Sequence, residues 1–340
     1  MEVTKPVTIA TPATLQPAVF YRITALWALS EALLGGVLHA LHLPGTGLFV
    51  GGAAVLCISL LAHFCPDRKA ILKATVLVLL IKGILSPHTP PGAYLAVSIQ
   101  GGLGYLLFQS KRYFKISCFL LGILTQLQSA LQRLVVMVFM FGADLYQVAH
   151  GFVNYILKKA GFPEGEYVLY IVLAYLGLHV LMGVLVGWIA GRLPDKLKQQ
   201  QVVNFPELKA GSIQELTAGK PKTGRGKKSL ITLVSIVSVI LIAGLYVGIL
   251  SYNTAYTILL RGVLVLVLWV WVISPFLKKI LLKWSHTRKT KLANELSQVL
   301  DLMPFIKLLV INCWASLSGH SLAYRLLLFP KRFIAYLLYR

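Results

Sequence analysis

The stretch ALSEALLGGVLHALHLPGTGLFVGGAAVLCISLLAHF, residues 28–64, decides the fold. Two apolar runs flank the Pro44-Gly45 turn, and with histidine neutral the only charge between them is Glu31. A bilayer core takes about 17–25 apolar residues per helix. The second run, 46–64, is one such helix, and the first extends back to residue 20 to make another. The same signature repeats along the chain. Further runs fall at about 70–86, 92–108, 115–142, 166–192, 229–250 and 255–281. The runs are unbroken rather than alternating, which excludes a barrel. In lipid the remaining way to satisfy the backbone is the helix. Composition agrees: 57% of the 340 residues are hydrophobic and 13% are charged, about half the charged share of a soluble domain.

The net charge of +22 is read through topology before partners. Lys and Arg collect on the cytoplasmic side of membrane proteins. Arg68 and Lys69, then Lys111, Arg112 and Lys115, then Arg192 through Lys228, then Lys278 through Lys291 place every second loop inside. The loops between them carry His42, His88, Asp144, Glu164 and Glu166 and face outward, with Lys158 and Lys159 as the exception. The N-terminus is then cytoplasmic. No nucleic-acid-binding spacing is present, so the basic charge is expected to meet anionic lipid headgroups, not nucleic acid.

The expected architecture is an all-α, polytopic integral membrane bundle. Residues 1–192 form a six-helix membrane domain, 193–228 a basic cytoplasmic linker, and 229–340 two further transmembrane helices with a basic amphipathic tail. The stretch Met1 to Ala18 does not read as a cleavable signal peptide. Cys57, Cys65, Cys118 and Cys313 contain no CxxC pair and read as small apolar packing residues.

Polar residues inside such a bundle mark function or costly structure. Glu31 lies in the first span, with Lys82 and Arg133 as candidate partners. A structural ion pair and a proton-coupling carboxylate are both open. On the outer side three loops carry histidines, prolines and amides: HALHLPGTG (39–47), SPHTPPGAY (86–94) and the long segment from Asp144 to Tyr167, which holds DLYQVAHGFVNY. Turn residues and hydrogen-bonding side chains around an apolar cavity are the usual form of a small-molecule site. The candidate binding residues are His39, His42, Lys82, His88, Tyr94, Gln100, Asp144, Tyr146, Gln147 and His150. Gln126, Ser129, Arg133 and Asp144 are expected on one face of the fifth span, as interhelical contacts or cavity lining.

Other chemistry is missing. The histidines lack HxxxH or HExxH spacing, so no metal site is expected. The linker GKPKTGRGKKS fails as a P-loop because Arg225 follows Gly224 where lysine is required. There is no GxSxG, no paired carboxylates and no cofactor motif. An intramembrane enzyme would have to use Glu31 or Asp144, and nothing else in the sequence asks for one.

Ala25, Ala28, Ala32, Gly36 and His39 share a face of the first span, and Ala28 and Ala32 make a small-xxx-small pair. Packing within the chain and docking of a partner are both open for that stripe. Six spans, an inward N-terminus, this alanine pair and polar outer loops together resemble the substrate-capture (S) component of energy-coupling-factor transporters, over residues 20–192. The resemblance implies capture of a vitamin-like small organic molecule on the extracellular side of a bacterial cytoplasmic membrane. It implies a transmembrane coupling (T) subunit that meets Ala28 and Ala32, and separate ATPase subunits that supply energy. The MHI start of the metal-transporting relatives is lacking, which favours an organic substrate. The chain departs from the family after residue 192. ELSQVLDLMPFIKLL (295–309) is loosely similar to the coupling region of the T subunit, without its Ala-Arg-Gly signature. The alternative class is a membrane scaffold or assembly protein that binds lipid or partner proteins without transport.

Overall fold

The computed structural model describes residues 12–34, 45–85, 91–142, 145–198, 256–257, 260 and 291–339. Among these, all regular structure is helical. The helices are α1 (Pro12–Leu29, continued by a π-helical turn Ser30–Leu34), α2 (Thr46–Phe64), α3 (Lys69–Leu85), α4 (Pro91–Leu107), α5 (Phe114–Phe141), α6 (Leu145–Lys159), α7 (Tyr167–Lys198), α8 (Lys291–Ala315) and α9 (Leu322–Tyr339). The spans expected at 229–250 and 255–281 lie almost entirely outside the described residues.

Local chemistry sets the helix ends. Gly45 precedes α2 in the left-handed region at φ 91°, a conformation that favours glycine. Asp67 Oδ1 accepts the Lys69 backbone N–H at 2.9 Å and starts α3. Pro91 opens α4, where its missing N–H goes unused. Gly142, at φ 81°, closes α5. Among the described residues four helices are long and apolar enough to cross a membrane: Thr46–Phe64, Phe114–Phe139, Tyr167–Leu197 and Leu292–Ala315. Helices α3 and α4 have 17 residues each, about 25 Å at the usual rise.

The antiparallel order gathers the basic loops at one end. There Arg68 Nη1 donates to Gln109 Oε1 at 3.4 Å, and Lys115 pairs with Asp195 at 3.3 Å. The other end holds the first turns of α2 and α4, the last turns of α5, and α6.

Helices α5 and α7 form the tightest pair. They meet backbone to backbone through Gly122, Gly183 and Gly187. A methyl group on Gly122 would lie 2.3 Å from the Gly183 carbonyl oxygen, and one on Gly187 would lie 2.7 Å from the Cys118 carbonyl oxygen. Helix pairing in lipid depends on such close approach. The opposite face of α7 carries Leu173, Leu181 and Trp188, all exposed, as a helix wetted by lipid requires.

Three expectations are corrected here. The segment 144–167 is not a long loop, because 145–159 is helix α6. Its apolar Leu145, Val148, Phe152 and Ile156 recur at helical spacing. Span six does not stop at 192; α7 continues to Lys198, with Pro194 near its end, where proline removes a single backbone bond. The fifth span cannot carry Asp144 on its polar face, because α5 ends at Phe141.

The C-terminal helices share the core of the N-terminal ones. Val299, Ile306 and Cys313 of α8 and Phe333 to Leu338 of α9 are buried with α1, α2 and α3. Lys73 of α3 pairs with Glu295 of α8 at 2.7 Å and sits 5.1 Å from the Phe20 ring centroid. Arg22 Nη1 donates to the Leu337 carbonyl at 3.2 Å.

Candidate functional site

The end opposite the basic loops holds a polar patch inside an apolar bundle. Its foundation is the face of α5 from Gln126 to Arg133, laid across the first turns of α2 and α4. Glycine makes the approach possible. A methyl group on Gly47 would stand 2.4 Å from Ser129 Oγ, and one on Gly92 would stand 2.4 Å from Gln132 Nε2. Gln126 is completely buried and donates through Nε2 to the Leu48 carbonyl at 2.8 Å. Gln128 Nε2 donates to Gln132 Oε1 at 2.7 Å.

Those bonds leave carboxamide oxygens over. Gln126 Oε1 and Gln128 Oε1, together with Gln100 Oε1 on α4, are buried without a hydrogen-bond partner among the described residues. Thr125 Oγ1 is in the same position. An unpaired polar atom in an apolar interior costs about 1–3 kcal/mol. Such acceptors are suited to N–H or O–H donors. The first turns of α2 and α4 add the positive ends of two helix dipoles. The exposed Arg133 guanidinium lies beside Gly47. The patch therefore suits an anionic group at its rim and hydrogen-bond donors deeper in.

Beside it lies a buried ion pair. Glu31, on the π-helical turn after α1, meets Lys82 near the end of α3 at 2.5 Å, and the side chains are 3% and 6% exposed. Of the two partners considered for Glu31, the structure pairs it with Lys82. The Trp27 indole N–H, near the same carboxylate, is buried outside hydrogen-bond geometry.

Not every expected residue falls in this patch. His39, His42, His88 and Asp144 lie outside the described residues. Tyr94 is half-buried on the first turn of α4, and Gln100 is buried further along the same helix. Tyr146, Gln147 and His150 lie on α6, apart from the α5 face. Tyr146 O–H donates to Glu166, the rings of Tyr146 and His150 stack at 5.8 Å, and His150 Nε2 is 3.6 Å from Glu166 Oε2. Asn154 Oδ1 accepts the Gly165 N–H at 3.1 Å, tying α6 to the start of α7. Ala28 is fully buried within the chain and Ala32 is half-buried. Gln128 and Gln132 were missed as site residues, although their i, i+4 spacing puts them on one helix face. The Gly183-Gly187-Gly191 repeat, one residue every turn, was the other legible signal.

The turn between α6 and α7 has its own electrostatics. Lys158 pairs with Glu164 at 2.8 Å. That hydrogen bond and charge hold the Glu164 carboxyl below its ordinary range and raise Lys158 above its own. The contribution from Glu164 is present above its unfolded pKa and is lost as pH falls through the lower folded value. The Lys158 contribution is lost at the alkaline end. Backbone amides at 160–166 are expected to lose hydrogen-exchange protection on acidification relative to Glu164→Gln. Parallel profiles for the two proteins would refute the pair's role. Both groups are fully exposed, so the effect is small.

Compared with known proteins, the chain matches no family model, no curated protein and no solved structure. Among the described residues no group of three or more His, Cys, Asp or Glu side chains is placed to hold a metal ion.

Proposed function

We propose that the protein is the substrate-capture component of a membrane uptake transporter for a vitamin-like small organic molecule. In this reading six N-terminal helices cross the bacterial cytoplasmic membrane with both ends inside, and two more follow the linker. The single observation that carries it is the buried, unpaired carboxamide oxygens of Gln126 and Gln128 on α5 and Gln100 on α4. A lipid-embedded protein keeps such groups when something else satisfies them. The substrate carries an acidic group, met by Arg133 and the first turns of α2 and α4, and N–H or O–H donors for the amides. Separate ATPase subunits supply the energy through a transmembrane coupling subunit.

Native mass spectrometry of the purified protein is the test. A retained organic ligand is expected, and Gln126→Leu is expected to lower its occupancy at least tenfold. Leucine fills the same volume but removes the donor and the acceptor. Repeated preparations that hold only lipid would contradict the proposal.

One observation favours a second reading, a membrane scaffold that binds lipid or protein partners without transport. Ala28, the residue the resemblance assigns to the coupling subunit, is fully buried inside the chain. A partner complex that survives replacement of Gln100, Gln126 and Gln128, in a protein that never retains a ligand, would establish that reading instead.

A further inference from the structure

A second polar feature lies at the opposite end of the molecule and takes no part in substrate capture. Between the first half of α1 and α8 runs an open cleft of about 350 Å³, lined by Ala18, Tyr21, Arg22, Gln298, Asp301 and Leu302.

Its two charges sit on different helices. Arg22 on α1 is half-buried, and one donor is fixed on the Leu337 carbonyl at 3.2 Å, which leaves the rest of the guanidinium fork for another acceptor. Asp301 on α8 is exposed and has no ion-pair partner among the described residues. Arg22 and Asp301 do not pair with each other, although both line the cleft. The acidic side chain is notable where it stands. The chain has 11 acidic residues against 33 basic ones, and this end is the basic one. Asp301 lies two turns from Glu295, whose carboxylate is already taken by Lys73 at 2.7 Å.

We infer that this cleft binds the headgroup of an amine-bearing, zwitterionic phospholipid of the inner leaflet. Arg22 takes the phosphate, and Asp301 takes the primary ammonium. Gln298 and the Tyr21 hydroxyl add hydrogen bonds. The opposite charges on the two walls match a headgroup that carries both. An anionic headgroup without an amine gains Arg22 but meets the Asp301 carboxylate as a like charge. The basic loops carry an excess of Lys and Arg, which attracts any anionic lipid alike, whereas the cleft sets one unpaired acid opposite one base.

The test is native mass spectrometry of the full chain released from bilayers of phosphatidylethanolamine and phosphatidylglycerol mixed in equal amounts. The wild type is expected to retain phosphatidylethanolamine over phosphatidylglycerol at least threefold. Asp301→Asn, which keeps the shape and removes the charge, is expected to bring that ratio to about one, and Asp301→Glu to restore most of it. Asp301 is exposed, so the variants are expected to elute and melt as the wild type does, and a failure to fold would itself contradict its placement in an open cleft. A wild-type ratio of one, or an undiminished preference in Asp301→Asn, overturns the assignment.

Discussion

Gly187→Leu is expected to lose most of the folded protein. The reason is the absence of anything soft to move. At Gly187 the first atoms a side chain meets are backbone atoms of Cys118 and Phe119, 2.7 Å from the position of a methyl carbon. Overpacking an ordinary core costs about 1–3 kcal/mol because neighbouring side chains yield. Here two helix backbones must separate, along the most extensive helix pair of the bundle. A loss at or above about 3 kcal/mol is expected, a large part of the roughly 5–15 kcal/mol that holds a protein together. It should lower the melting temperature by roughly 6–12 °C if any protein folds. Thermal unfolding followed by size-exclusion chromatography in detergent measures it. Gly177→Leu is the control, because nothing lies within 4 Å of a methyl group at that position of the same helix. Equal melting of Gly187→Leu and wild type would show that the two backbones do not touch.

The second large effect belongs to the buried pair. Lys82→Met leaves Glu31 as an uncompensated charge in an apolar interior, and breaking such a pair costs about 3–5 kcal/mol. Adding Glu31→Gln removes that charge, and the double variant is expected to regain most of the lost stability. Replacing both members of a buried pair is often neutral or stabilising by about 1–4 kcal/mol. Melting temperatures of the two single variants and the double variant close the cycle. A double variant no better than Lys82→Met would mean that the two residues do not act as a pair. The same proteins separate the two uses of Glu31. If the pair is structural alone, the stable double variant still binds ligand and transports it; if Glu31 couples protons, it binds and fails to transport.

Much of the fold was legible because lipid is a simple solvent. The helix expected at 46–64 is α2 with the same bounds, and those expected at 70–86, 92–108 and 115–142 start and stop one residue earlier in the structure. Glycines and prolines punctuate these runs, and no soluble-domain alternative competes. The first helix was harder: α1 starts at Pro12, eight residues before its apolar run, and Pro12, Thr14, Gln16 and Pro17 interrupt the apolar pattern there. Helix α6 was hidden by its composition. Its tyrosine, histidine and asparagine read as loop chemistry, and the apolar stripe beneath them carries the helix. The C-terminal tail reads as basic and amphipathic, and Val299, Ile306 and Phe333 bury its helices against the first three. Long-range packing of that kind leaves no local pattern.

The site was legible in part. Depth alone marked Gln100, Gln126 and the Glu31–Lys82 pair, since polar groups in an apolar run need partners. Which of those partners the chain supplies is a matter of angstroms. Gln126 reaches Leu48 because Gly47 and Gly51 let α5 come close, and no spacing rule states that. Tyr146 and His150 fall with the amides by loop order, but α6 carries them to Glu166 instead.

Everything functional rests on the order of crossings, which puts the first turns of α2 and α4 on the face away from the basic loops. Single cysteines at His88, Lys159 and Arg112, in a protein freed of its four native cysteines, measure it with a membrane-impermeant maleimide. His88→Cys and Lys159→Cys should label from outside intact cells, and Arg112→Cys only after the membrane is opened. Labelling of His88→Cys and Lys159→Cys from opposite sides would divide the polar end between two compartments and contradict the capture site.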